Sequence, residues 1–239
     1  IIDSFGDLPP LEIAASEAPA VPFVFSSPHS GRCYPRAFVE GSRLDRLALR
    51  RSEDAFVDEL FGEVVRLGAP LLKANFPRAF LDANREPYEL DPLLFEGAMP
   101  PFARTSTARV AAGLGTVARV VADAQPIYRH RLPIEEGLAR IDAFWRPYHA
   151  ALEALIADAR RRFGFACLVD CHSMPSAVRG LDGAERPDII LGDRFGTSCD
   201  RAITVAASEI FGGLGYRVGC NRPYAGGYIT ERYGRPAEG

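Results

Sequence analysis

Two of the four histidines in this sequence, His29 and His172, stand where an apolar run gives way to polar or glycine-containing chain. His29 follows VPFVFSSP and precedes Ser30 and Gly31, so it is predicted at the end of a strand, on backbone that can turn sharply. His172 ends the run FACLVDCH, and Asp170, two residues earlier, falls on the same face of a strand because side chains alternate with period two. A carboxylate so placed can orient an imidazole that ligates a metal. Catalytic zinc commonly takes two histidines and a carboxylate, leaving a position for water. The sequence HSGR has no acid three residues after His29, so the carboxylate must come from elsewhere. Glu53 and Asp54 in RSEDAF are the candidates, at the predicted first turn of a helix where the dipole favours an ionised acid. The competing reading is that each histidine merely caps or packs at a strand end. Two such sites in one chain weigh against it.

Further polar groups lie at other predicted strand ends. In RAFLDANRE, Arg78 precedes an apolar run and Asn84 with Arg85 follows it. An adjacent Asn and Arg can grip a carboxylate, the Arg through its planar fork, and Arg78 can reach a carbonyl oxygen under attack. PYAGGYIT sets Tyr224 and Tyr228 around a glycine pair, as a mobile flap with phenolic hydroxyls or as a plain β-hairpin. Asp193 and Arg194 follow another run. AGLGTV lacks the lysine and hydroxyl residue of a phosphate loop and reads as a turn. His130 reads as a surface residue and His149 as a helix residue packing locally.

Positioning these groups requires strands at 21–27, 69–74, 79–83, 165–171, 188–191 and 216–219, which are short apolar runs. Between them lie helical patterns. Ser52 is predicted to cap a helix with Phe56, Leu60, Phe61, Val64 and Val65 on one face. Two helices, 134–145 and 148–163, are predicted to be divided by Pro147, the second closed by Gly164, and another spans 200–211. Strands alternating with helices imply an α/β fold. We expect a single domain over 1–239 with a mostly parallel or mixed central sheet, helices on both faces, and ligands beyond the strand ends.

The 239 residues, 47% hydrophobic and 25% charged, are ordinary for a globular protein. A net charge of -3 with dispersed arginines sets nucleic acid aside. Five cysteines without a CxxC pair point to the reducing cytoplasm, and no apolar run approaches the ~20 residues of a membrane helix. The partner to expect is a small-molecule substrate. Nothing in the sequence speaks to oligomeric state.

Seven ordered blocks, SSPHSGR, RSEDAFVDELF, FPRAFLDANREP, RPYHAAL, LVDCHSMPS, GDRFGTSC and PYAGGYITERYGRP, resemble the N-formylglutamate amidohydrolase family across nearly the whole chain. That family is similar to the zinc carboxypeptidase and aspartoacylase-like deacylases, whose D-x-H strand end and N-R pair appear as Asp170 to His172 and as Asn84-Arg85. The resemblance implies a phosphorylase/hydrolase-like fold of zinc-peptidase type and one zinc ion held by His29, Asp54 and His172. It makes Asp170 their supporting carboxylate, Arg78 the catalytic cation, and Asn84, Arg85, Tyr224 and Tyr228 substrate contacts. The implied reaction is hydrolysis of N-formyl-L-glutamate to formate and L-glutamate, the last step of one histidine-degradation route. A deacylase for another acyl group, or an inactive small-molecule binding protein of the same fold, are the alternatives. No acid within 1–239 reads as the general base, so a glutamate beyond Gly239, in a C-terminal segment the chain lacks, is expected in that role.

Overall fold

The computed structural model describes residues 8–17, 19–175 and 187–238. The chain divides into two compact units, Ile1–His172 and Ser173–Gly239. Along the first unit run β1 (Leu11–Ala14), β2 (Phe23–Ser27), α1 (Arg36–Gly41), α2 (Arg46–Leu49), α3 (Val57–Leu60), β3 (Leu71–Ala74), β4 (Phe95–Glu96), α4 (Ala108–Ala111), β5 (Leu132–Pro133), α5 (Ile134–Arg140), α6 (Arg146–Phe163) and β6 (Cys167–Asp170). Its central sheet has the order β1-β3-β2-β6, with β1 antiparallel to β3 and the other pairs parallel. The fold is therefore α/β with a mixed central sheet.

Three parallel strands send their C-terminal ends to one edge of that sheet, the position where α/β folds place ligands. Ser26 pairs with Asp170 and Ser27 with Lys73, so the segments that follow β2, β3 and β6 leave side by side. Val24, Leu71 and Leu72 are fully or almost fully buried beneath them, as are Tyr148 and Leu152 of α6, which packs on β2 and β3. Burying one such side chain contributes about 1.5–3 kcal/mol relative to leaving it exposed.

The helix pair expected on either side of Pro147 is one continuous element. Between α5 and α6 the chain makes a π-helical turn over Ile141–Trp145, and Pro147 sits in the first turn of α6. Proline removes one N–H and crowds the carbonyl four residues back, and the wider turn accommodates both without breaking the helix. Gly164 closes α6 at φ 83°, donating its N–H to the Arg160 carbonyl.

Two other expectations are corrected. Residues 79–83 are a turn, not a strand: Pro77 O accepts from the N–H groups of Phe80 and Leu81, and the Asp82 N–H goes to Thr116 O. The run is apolar because Ala79, Phe80, Leu81 and Ala83 are buried in the core, and apolarity alone does not separate a buried turn from a buried strand. Ser52 caps no helix. It ends a 3-10 turn over Arg50–Ser52 and its hydroxyl donates to Leu49 O, while α3 starts after Phe56, whose φ is 65°. Strands β1, β4 and β5 escaped the sequence reading.

In the second unit, β7 (Ile189–Leu191) and β8 (Val218–Cys220) pair in parallel, joined by a crossover containing α7 (Arg201–Gly213), and α8 spans Tyr228–Tyr233. The Asp200 side chain caps α7 by accepting from Ala202 N. Asp193 is the knot of this unit: its carboxylate accepts from Asn221 Nδ2, Gly196 N and Thr204 Oγ1, and these bonds outweigh its desolvation and hold its pKa low. The segment from Tyr224 to Tyr228 runs without regular structure into α8, and β7 and β8 are parallel, so the hairpin alternative does not hold. Ser176, the last residue of the LVDCHSMPS block, and Gly239 lie outside the described residues.

Candidate metal centre

His29 is carried past the end of β2 by a tight passage. A Cβ on Gly31 would lie 2.1 Å from the Phe76 carbonyl oxygen, so only glycine permits this approach to the segment following β3. Ser27 and Ser30 join hydroxyls at 2.7 Å across the turn. The His29 carbonyl accepts from Asp54 N at 3.1 Å, which pins the stretch after the 3-10 turn against the strand end. His172 leaves β6 two residues beyond Asp170, and the intervening Cys171 is buried on the other side with its thiol pKa pushed up by burial.

Three carboxylates bracket the two imidazoles. His29 Nε2 lies 2.7 Å from Asp82 Oδ1, and His172 Nε2 lies 2.8 Å from Asp170 Oδ2. Both ring nitrogens must donate, since ionised carboxylates only accept. Asn84 Nδ2 stands 2.7 Å from the same Asp170 oxygen and 3.0 Å from His172 Nε2. Because an amide nitrogen is a donor, its bond goes to the carboxylate. Both Nδ1 atoms turn toward Asp54: His172 Nδ1 is 2.8 Å from Oδ2, and His29 Nδ1 is 3.4 Å from it. Burial pushes the Asp54 carboxyl up, but the His172 hydrogen bond and the closeness of both imidazoles outweigh this and hold it well below the usual carboxylate range. For His172 the order is similar. Burial lowers its pKa, while Asp170 and Asp54 raise it to about 10.

The donor set fits a metal ion. The ligand atoms of His29, Asp54 and His172 all lie within 4.8 Å of one another. His29 Nδ1 is buried and makes no hydrogen bond, an unusual state for a polar atom unless it has another ligand. With each Nε2 held by a carboxylate, the Nδ1 lone pairs are the ones offered to a metal.

Residues 21–239 match the profile of a family described as N-formylglutamate amidohydrolase. The chain belongs to that family. It is 29% identical to an N-formylglutamate deformylase of Pseudomonas aeruginosa over 95% of this chain and 80% of the relative. It is 28% identical to the Pseudomonas putida enzyme of the same name over 91% and 76%. The crystal structure of an N-formylglutamate amidohydrolase from Ralstonia eutropha matches with TM-score 0.89 and 36% identity, covering 97% of this chain and 83% of the other. A gene product of Agrobacterium tumefaciens at TM-score 0.64 and 19% identity, covering 94% and 77%, shares the fold.

In this member of the N-formylglutamate amidohydrolase family, the other candidate site residues fall as follows. Glu53 is turned away from the histidines, its carboxylate accepting from Tyr34 Oη at 2.5 Å and from Arg50 Nε at 3.0 Å. Arg78 Nε donates to Asp82 Oδ2 at 3.0 Å. Arg85 donates to the carbonyls of Leu114 and Asn84 and lies 3.6 Å from Asp82. Tyr224 and Tyr228 belong to the second unit, Tyr224 exposed and Tyr228 at the start of α8. Sequence reasoning put Asp82 in a strand and gave it no part in the centre. Its signal was present in the spacing Asp82-x-Asn84-Arg85, which marks a turn with converging polar groups. Arg109 was also missed, and only the fold brings it beside Arg85.

Proposed function

We propose that this chain is a zinc-dependent amidohydrolase that cleaves the amide of an N-acyl acidic amino acid, N-formyl-L-glutamate to formate and L-glutamate. The observation that carries the proposal is the cluster of two carboxylate-oriented imidazoles around Asp54, with the buried Nδ1 of His29 lacking a hydrogen-bond partner. His29, Asp54 and His172 would hold the ion. Bound there, zinc supplies a water whose pKa is lowered to about 7, and so a nucleophile at neutral pH. Asp82 and Asp170 keep each Nε2 protonated, which fixes both tautomers.

The substrate's charge is matched by a cationic locale. Asp82 raises the Arg85 pKa, yet burial together with Arg78 and Arg109 pulls it below the ordinary arginine value, so a bound carboxylate would relieve repulsion among these cations. Arg85 is assigned the substrate carboxylate. Asn84, next to Arg85 and assigned the substrate with it, also fixes Asp170 through its amide nitrogen. Arg78, held through Nε, presents its remaining amino groups to the oxygen that gains charge as the amide carbonyl is attacked, a contribution of about 3 to 4 kcal/mol for an oxyanion-hole donor.

None of the five cysteines is in a disulfide, which supports a reducing, cytoplasmic setting. No helix among the described residues is long and apolar enough to cross a membrane. The test is release of the free amino acid from N-formyl-L-glutamate, N-formyl-L-aspartate and N-acetyl-L-glutamate, before and after chelation and after zinc is restored. We expect N-formyl-L-glutamate to be preferred and zinc to restore its turnover. Turnover that is indifferent to chelation, or a preference for the acetyl compound, would refute the assignment.

A further inference from the structure

The loop that bears Asp82, Asn84 and Arg85 has no sheet to hold it, since residues 79–83 are a turn. Its backbone is held from below by one face of α6 and the π turn before it. Trp145 Nε1 donates to Arg85 O at 3.0 Å, and His149 Nε2 lies 2.8 Å from Ala83 O, so that nitrogen carries a proton. The two bonds grip the carbonyls on either side of Asn84. The rings that make them are stacked, with centroids 3.8 Å apart and 22° between planes, and both residues are buried. Tyr148, fully buried on the same face, shares a 3.0 Å hydrogen bond with Ser26 Oγ, which in turn donates to Asp170 Oδ1 at 3.2 Å. Positions 145, 148 and 149 are spaced i, i+3 and i+4, the spacing of one helix face. The π turn ending at Trp145 shifts the helical register where the face begins, as such turns do at functional sites.

We propose that Trp145, Tyr148 and His149 are positioning residues for the metal centre: together they fix the 82–85 loop and Asp170, and through them the orientation of His29 and His172. The inference rests on reading that centre as the zinc site. None of the three touches substrate or ion. Local packing alone would predict that their loss costs stability and nothing else.

The experiment compares wild type with W145F, Y148F, H149L and H149Q, and with L152A, a fully buried residue one turn further along α6. Zinc affinity is measured on the metal-free proteins by competition with a chromophoric chelator, beside thermal midpoint and formate release. Outer-shell partners of metal ligands are worth about 10- to 100-fold in metal affinity. W145F and H149L are expected to bind zinc at least tenfold more weakly, and Y148F to do the same through Asp170. H149Q, whose amide can donate to Ala83 O, is expected to restore most of the affinity. L152A is expected to melt earlier while the folded fraction binds zinc as wild type does. Wild-type zinc affinity in W145F and H149L, or an equal loss in L152A, would overturn the inference. Should H149L fail to fold, W145F and Y148F decide it in the same way. Should wild type bind no zinc, the functional reading fails, and the single indole N–H resonance decides the positioning claim instead. That proton is expected to be protected from exchange in wild type and H149Q and unprotected in H149L, and equal protection in all three would overturn it.

Discussion

Replacing Asp82 with alanine probes the centre through a residue that is not one of its three ligands. Asp82 is buried, and its two oxygens serve three donors: His29 Nε2 at 2.7 Å, Asn84 N at 2.8 Å and Arg78 Nε at 3.0 Å. Burial pushes its pKa up, but His29, Arg85 and Arg78 hold it well below the usual carboxylate range, so the lost group is an anion at every working pH. Without it, His29 loses the acceptor that fixes its tautomer, and zinc affinity is expected to fall about 10- to 100-fold, or roughly 1.4 to 2.7 kcal/mol. The stability loss should stay below the roughly 3–5 kcal/mol typical of breaking a buried ion pair. Arg78 keeps 29% of its side-chain surface exposed and can turn to water. Because Asp82 also anchors Arg78, formate release at saturating zinc should still be impaired after metal is restored. Chelator competition, a thermal melt and a zinc-saturated assay separate the three effects. An Asp82→Ala protein with wild-type zinc affinity would refute the idea that this carboxylate orients His29.

Other expectations follow from the same geometry. His172→Ala should abolish stoichiometric zinc binding, checked by metal analysis, whereas Glu53→Gln should leave it intact because Glu53 is committed to Tyr34 and Arg50. Arg85→Ala should mainly raise KM, since the role proposed for it is to hold a carboxylate present throughout the reaction, and Arg78→Ala should mainly lower kcat; steady-state kinetics showing the reverse would exchange their roles. In metal-free protein His172 keeps its proton up to about pH 10 against an ordinary value of 6.5, so zinc must displace it across that interval. Apparent zinc affinity should therefore rise by about tenfold per pH unit from pH 6.5 and level off near 10. The same raised pKa stabilises the metal-free fold fully below pH 6.5 and is lost as pH climbs through about 10, so the chelated protein should melt earlier at pH 10 than at 6.5.

The two histidines of the candidate centre were legible because strand ends in α/β folds combine an apolar run with an abrupt polar residue, and both carry that mark. The Asp54 choice was legible only through the family resemblance. The dipole argument for it fails, because Asp54 precedes α3 and owes its ionisation to the histidines. The helix around Pro147 was misread for a different reason. Proline's cost is local, and one wide turn absorbs it when buried residues on both sides, Phe144 and Tyr148 among them, hold the helix in place. The turn at 79–83 could not be read from composition, since its side chains are as buried as any strand's. The grip of Trp145 and His149 on that turn was hidden because it links positions about sixty residues apart through backbone carbonyls, which leave no trace in residue type. His149 consequently read as local packing.

The central claim is that a zinc ion sits among His29, Asp54 and His172. Anomalous diffraction from zinc-loaded crystals, measured on both sides of the zinc edge, tests it most directly. The account predicts one strong peak about 2.0–2.2 Å from Nδ1 of each histidine and from the Asp54 carboxylate. A peak bonded through either Nε2 or through Glu53, or no peak at this place in crystals of protein that still releases formate, would contradict it.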